Sequence, residues 1–409
     1  MKLIPLFLLI ALTSSMTASS FPSFADFASR AEAGDRLSVV FLGGSLTWGA
    51  QATDPQKTSY RALVGQKLEQ AYPRAHFSFH DAAIGGTGSQ LAAFRLERDV
   101  LAHKPDLVFL DFTINDGPYD APSPHRLAAY ESLIRRLIQA GIPVVQVILP
   151  AKKDMQPEPV PRPLDAKHKE IGRAYGLPLA DAVTRARERV REGKTTADLL
   201  WDLPEDHTHP GDAGYALYAE AAWEAFAKAV KGNVRCRLPE AMLHAPAYMN
   251  VTRNRLTQMH PLPTGWHPGK PHRNALAYDF VCSRWMDDLA IAEGQADVLH
   301  LKFLGSEALL FGEMTPRSGS YAVRVDGGEA KIHSATCKEG NMRLAQVVAE
   351  GLDPEKEHVI EIIPTLKPGE ELRLESLCIA GERRDAGLLR TADSAPGSLE
   401  NLQWAGGFR

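Results

Sequence analysis

The stretch Leu37-Ser38-Val39-Val40-Phe41-Leu42-Gly43-Gly44-Ser45-Leu46-Thr47 decides how the first half of the chain folds. An apolar run rich in β-branched and aromatic side chains stops abruptly at two glycines and a serine. Such a run, bounded by turn formers, reads as a strand buried on both faces. The glycines let the backbone turn sharply and leave the Ser45 hydroxyl standing at the carboxyl end of the strand, where open α/β sheets hold their ligands. The same reading extends outward. Phe77–His80, Leu107–Phe112 and Pro143–Leu149 are further short apolar runs, while Ser59–Ala71, Gln90–Val100 and Arg126–Ala140 carry apolar residues at helical spacing. In the last of these, Leu127, Tyr130, Leu133, Ile134, Leu137 and Ile138 make one stripe. A final helix is expected over Ala213–Val230, with Lys231-Gly232 as its C-terminal stop. Strands alternating with helices predict a three-layer α/β/α domain around a parallel sheet, here placed over residues 21–233.

The pattern changes after about residue 234. Proline-, glycine- and histidine-rich loops (Pro261–Pro271) lead into period-2 segments: His300–Leu304, Ala308–Phe311, Tyr321–Val325, Ala330–His333, His358–Ile363 and Glu371–Ile379. Asp326-Gly327-Gly328 is a tight hairpin signal. Residues 234–409 are therefore expected to form a second, all-β domain, a sandwich or jelly roll. The overall balance suits two folded domains: 409 residues, 44% hydrophobic, 23% charged, formal net charge −4. It excludes a disordered or collagen-like chain and speaks against a dedicated nucleic-acid binder, which would carry a basic excess.

Met1–Ser20 reads as a signal peptide: Lys2, the apolar run Leu3–Leu12, then the small-residue site Ala18-Ser19-Ser20. The run is far shorter than the roughly 20 residues that span a bilayer. No membrane span is expected, and the processed protein is expected to be secreted or periplasmic. Cys236, Cys282, Cys337 and Cys378 all lie in the second half. After export they can form up to two disulfides in three connectivities; the alternative is four buried thiols. No CxxC pair supports a zinc ribbon.

Four blocks in the first half carry chemistry. Gly43-Gly44-Ser45-Leu46-Thr47 offers a hydroxyl nucleophile, although alone such a block is more often a plain turn, and it lacks the G-x-S-x-G elbow. Ile84-Gly85-Gly86-Thr87-Gly88 offers bare N–H groups to an oxyanion, and without a following lysine it lacks P-loop spacing. Thr113-Ile114-Asn115-Asp116-Gly117 adds an amide donor, or is merely a turn. Asp206-His207-Thr208-His209-Pro210 places a carboxylate three residues before an imidazole, the spacing at which one turn of chain can join them. A metal held by Asp206, His207 and His209 is the competing reading, but no companion cluster of His, Asp or Glu supports it.

In this order the blocks resemble the SGNH (GDSL-type) hydrolases, over about residues 36–230. The resemblance implies a flavodoxin-like sheet, no metal or organic cofactor, Ser45 as nucleophile, His209 as general base and acid, and Asp206 as its orienting partner. It further implies an oxyanion hole of the Ser45 N–H, the Gly86 N–H and the Asn115 side chain. Gly44 stands where the family motif has Asp. Gly85 adjoins Gly86, and the register Ala83-Ile84-Gly85-Gly86 favours Gly86 as donor. Phe94-Arg95-Leu96-Glu97-Arg98 is similar to bacterial carbohydrate acetylesterases with accessory domains.

The expected activity is an exported serine esterase acting on acetylated carbohydrate. A lipolytic esterase or thioesterase for short acyl esters is the alternative within the class, and a carbohydrate-binding protein with an inactive hydrolase fold the alternative outside it. Trp48, Arg95 and Trp201 are candidate substrate contacts; the competing role is core packing for the two tryptophans and a structural or surface position for Arg95. The loop aromatics Tyr248, Trp266, Tyr278 and Trp285 fit either polysaccharide binding or packing between the domains.

Overall fold

The computed structural model describes residues 21–158, 160–259, 261–272, 285–338 and 341–389. The signal-peptide reading of Met1–Ser20, and the readings of Tyr278 and Cys282, lie outside these residues. Chain order in the first half is α1 (Phe24–Ala33), β1 (Arg36–Gly43), α2 (Ser45–Trp48), α3 (Tyr60–Ala71), β2 (His76–Ala83), α4 (Ser89–Asp99) and β3 (Leu107–Leu110). It continues with α5 (Pro124–Gln139), β4 (Val144–Ile148), α6 (Pro163–Ala174), β5 (Leu179–Asp181), α7 (Ala182–Arg191), α8 (Ala197–Leu200) and α9 (Asp212–Lys231). The five strands pair in parallel in the order β2-β1-β3-β4-β5. Helices α1, α3 and α7 pack with α9 on one face, and α4 and α6 with α5 on the other. β3 and β4 are buried along their whole length because helices cover both faces.

Local chemistry explains the element ends. Ser59 and Ser123 cap α3 and α5 by accepting the N–H of Ala62 and Arg126, and Pro124 opens α5 at a position that needs no N–H. At the end of α9 the left-handed residue is Asn233 (φ 47°), not the expected Gly232, which stays at φ −82°.

After α9 the sheets become antiparallel: β6 (Asn250–Arg255), β7 (Trp266–Gly269), β8 (Leu289–Glu293), β9 (Leu299–Leu304), β10 (Glu307–Met314) and β11 (Ser320–Val325). These are followed by β12 (Lys331–Ser334), β13 (Met342–Ala349), β14 (Glu357–Thr365), β15 (Glu371–Gly381) and β16 (Gly387–Leu388). One sheet runs β13-β10-β15-β8-β7, with β6 also pairing with β15; the other runs β12-β11-β14-β9-β16. The connection from β11 to β12 opens with a tight turn centred on Asp326 and Gly327, both at positive φ (50° and 69°), in which the Gly328 N–H donates to the Val325 carbonyl at 2.9 Å.

The central strands β10 and β15 of the six-stranded sheet are buried on both faces. Along β10, Ala308 and Leu310 enter the core of the sandwich, while Leu309 and Phe311 point the other way into the core that contains Leu91 and Phe94 of α4. On β15, Leu377 and Ile379 alternate in the same manner with Cys378 and Ala380. Polar bonds rim this contact: Arg98 Nη1 donates to the Trp285 carbonyl (2.6 Å) and Gln90 Nε2 to Glu350 Oε1 (2.9 Å). Tyr248, Trp266 and Trp285 are buried, so these three aromatics pack the interior instead of presenting faces to a glycan. Cys236 and Cys378 are buried free thiols, pushed up by burial to about 11 and about 12, which rules out the arrangement with two disulfides.

Truncation after residue 233 would bare the apolar side of α4. The fragment 21–233 is expected to aggregate or bind a hydrophobic dye, while the full chain melts in one cooperative transition. A soluble, monomeric fragment with unchanged melting temperature would contradict a shared interior.

Candidate active site

β1 ends at Gly43, and Ser45 becomes the first residue of the single-turn helix α2, with Gly44 as its N-cap. The departure from the Gly-Asp-Ser motif has a steric counterpart. A Cβ on Gly44 would sit 1.9 Å from Asn115 Oδ1, so the Asn115 amide occupies the room a side chain there would need. Because β1 lies between β2 and β3, the loops that follow these three strands stand side by side at one edge of the sheet. The serine block, the glycine block and the asparagine block are those loops. This is the point where the strand order reverses direction, the usual ligand position of open α/β sheets.

His209 arrives from the opposite end of the chain, on the loop before α9. Its Nε2 lies 2.8 Å from Ser45 Oγ, and its Nδ1 lies 2.8 Å from Asp206 Oδ2. The other oxygen of Asp206 accepts the backbone N–H groups of Thr208 (3.0 Å) and His209 (2.9 Å). The Asp side chain thereby folds its own loop, which is why a three-residue spacing brings carboxylate and imidazole together. A carboxylate only accepts, so Nδ1 carries the proton and Nε2 is left to accept from the serine hydroxyl. Burial alone would raise the Asp206 carboxyl, but the hydrogen bonds from the His209 backbone and ring and from Thr208 outweigh it and hold the group below its ordinary value.

Gln51 also donates to Asp206 Oδ2, at 3.3 Å, from a left-handed backbone (φ 69°). No motif marks this residue. His207, in contrast, points elsewhere: its Nε2 donates to the Pro204 carbonyl at 3.0 Å.

The glycine loop is fastened by Thr87 Oγ1, which donates to the Ile84 carbonyl at 2.8 Å. Gly86 has φ +68°, and a Cβ there would fall 1.9 Å from Arg343 Nη2. A side chain from β13 in the second half thus lies directly on this loop. Gly86 and Arg343 line a cleft of about 230 Å³ together with Met314, Tyr321, Met342 and Gln346. Nothing in the order of the residues signals this approach, since it depends on how the sandwich docks on the sheet.

Three sequence candidates are placed differently from expectation. Trp48, Arg95 and Trp201 are 4%, 2% and 1% exposed, too deep to serve as substrate contacts. Arg95 donates to the carbonyls of Ala82 (2.6 Å) and Gly43 (3.2 Å) and pairs with Asp99 (3.3 Å), tying the ends of β1 and β2 together beneath the serine turn. The indole of Trp201 donates to the Thr208 carbonyl at 3.2 Å and anchors the histidine loop. In both cases the polar head donates to backbone carbonyls of the segments that carry the site.

The arrangement has counterparts among known proteins. The GDSL-like lipase/acylhydrolase family matches residues 41–217. An acetylxylan esterase from Geobacillus stearothermophilus is 27% identical over 203 residues, which is 45% of this chain and 90% of that enzyme. Across both halves of the chain the fold is similar to that of a two-domain esterase active on acetylated mannans, solved with mannopentaose. The TM-score is 0.73 at 22% identity, covering 89% of this chain and 97% of that one. A second structure of a two-domain esterase active on acetylated mannans gives a TM-score of 0.72 at 23% identity, covering 88% and 95%. Sequence motifs, strand order and the serine–histidine–aspartate geometry agree with the family match: the protein carries a GDSL-like lipase/acylhydrolase domain, an ester hydrolase.

Proposed function

We propose that the protein is an exported serine esterase that removes acetyl groups from a carbohydrate through an acetyl-enzyme. The observation that carries the proposal is the unbroken relay from Asp206 through His209 to Ser45 at the carboxyl edge of the sheet. In the first half-reaction Ser45 Oγ attacks the ester carbonyl carbon while His209 Nε2 takes the hydroxyl proton. The tetrahedral oxyanion faces the N–H groups of Ser45 and Gly86 and the Asn115 amide. Collapse breaks the bond to the sugar oxygen, which leaves with the proton held by His209. A water then gives its proton to His209 and attacks the acetyl group, releasing acetate and restoring the serine.

Several features favour acetylated carbohydrate over other esters. The relative from Geobacillus stearothermophilus is an acetylxylan esterase, and the two-domain plan is shared with an esterase active on acetylated mannans. The cleft beside Gly86 is walled by strands of the sandwich, so the second half supplies part of the rim. Export is favoured by the leader-like pattern of Met1–Ser20.

Ser45→Ala is expected to lower kcat by about 10⁴-fold or more, measured as acetate released from acetylated xylan or mannan. Equal release by both proteins would end the serine mechanism. Asp206→Asn is expected to cost about 10⁴-fold in kcat with little change in KM, because the imidazole loses the acceptor that fixes its tautomer. Across a series of p-nitrophenyl esters, acetate should be the preferred acyl group; a preference for octanoate would favour a lipolytic enzyme.

A further inference from the structure

Directly behind the proposed oxyanion donors lies a pair of buried ionisable groups that the relay does not use. Asp116, the residue after Asn115, is 2% exposed, and His168 on α6 is fully buried. Asp116 Oδ1 accepts the backbone N–H of Ser89, the first residue of α4, at 2.8 Å. The same oxygen approaches Gly88 so closely that a Cβ there would fall 2.3 Å from it. Asp116 is therefore joined covalently to Asn115 and by hydrogen bond to the end of the Gly86 loop. Its other oxygen, Oδ2, and both ring nitrogens of His168 have no hydrogen-bond partner among the described residues. Oδ2 and His168 Nε2 are 3.7 Å apart, and the imidazole is held flat against Tyr130 (ring centroids 3.8 Å, planes 8° apart).

Two orphaned polar groups facing each other in a dry site are costly unless they share a proton. A side-chain shift of about 1 Å brings them to hydrogen-bond length. We propose that Asp116 works as a neutral carboxylic acid: a positioning residue whose Oδ2–H is donated to His168 while its carbonyl oxygen holds the Ser89 N–H, locking Asn115 and the Gly86 loop in one geometry. Neutrality matters here because a carboxylate beside the oxyanion hole would oppose the negative charge that forms there. The surroundings agree. Burial raises the Asp116 carboxyl to about 7; the Ser89 hydrogen bonds and Arg126 act against the shift, and Asp111 adds to it. Burial, with help from Arg162 and His244, pushes His168 down to about 3, so the imidazole is neutral and able to accept.

The inference rests on the esterase reading for its activity test but not for its spectroscopic one. Asn reproduces the neutral acid, offering a carbonyl to Ser89 and an N–H to His168, whereas Ala offers neither. Asp116→Asn is expected to keep kcat within about 3-fold at pH 6, and Asp116→Ala to lose about 10²-fold in kcat with KM unchanged, the size of losing one oxyanion donor. As pH rises through about 7 the wild type should lose activity as Asp116 ionises, and Asp116→Asn should not. Infrared difference spectra should show a protonated carboxyl band at pH 6 in the wild type that is missing from Asp116→Asn, whether or not the enzyme turns over. The proposal is overturned if Asp116→Asn is as impaired as Asp116→Ala, if Asp116→Ala is fully active, or if the alkaline loss is absent from the wild type or persists in Asp116→Asn. Absence of the infrared band overturns it too, and that readout decides if Asp116→Ala does not fold. A fully active Ser45→Ala control would instead place the failure with the serine-esterase reading.

Discussion

The hydrogen bond between Ser45 and His209 joins residues 164 positions apart, and the arrangement around it depends on that contact. Neither residue reaches the other through local structure. Ser45 is held by the end of β1, and His209 by a loop folded around Asp206 and anchored by the indole of Trp201. Arg95 braces the ends of β1 and β2 below the serine, so the first wall of the site is tied to the sheet. A parallel sheet suits this task because it delivers several strand ends, and therefore several loops, to the same edge.

The second half of the chain is an extension of the same interior. β10 and β15 send alternate side chains into the sandwich and onto α4, so docking follows from the period-2 geometry of the strands. Docking brings Arg343 onto the Gly86 loop and walls the cleft. The physical link between the two halves is therefore also a link to the site, through α4. That helix carries Leu91 and Phe94 towards the sandwich, and its first residue, Ser89, is bound by Asp116.

What was legible in the sequence follows from what is local. β1 to β4 could be read because each is a short apolar run cut off by turn formers, and the chemistry lies in the few residues after each run. β5 escaped notice because three residues, Leu179–Asp181, are too short to show a period. β13 was missed because Met342–Ala349 mixes Arg, Gln and apolar residues without clean alternation; both of its faces are only partly buried. Trp48, Arg95 and Trp201 were misplaced because composition does not tell which way a side chain near a turn points. Gln51 and Arg343 act at the site only through the tertiary fold, and neither sits in a motif. His168 is of the same kind: an ordinary helical residue in the sequence, recognisable only once its ring is seen beside Asp116.

The central claim is that acyl transfer passes through Ser45. The most direct measurement is mass spectrometry of peptides from enzyme rapidly acid-quenched during turnover of an acetylated substrate, with Ser45→Ala alongside. The account predicts one acetyl group on the peptide containing Ser45 in the wild type and none on the corresponding peptide of Ser45→Ala. Acetate release with Ser45 never modified, or with the acetyl group on a different residue, would contradict it.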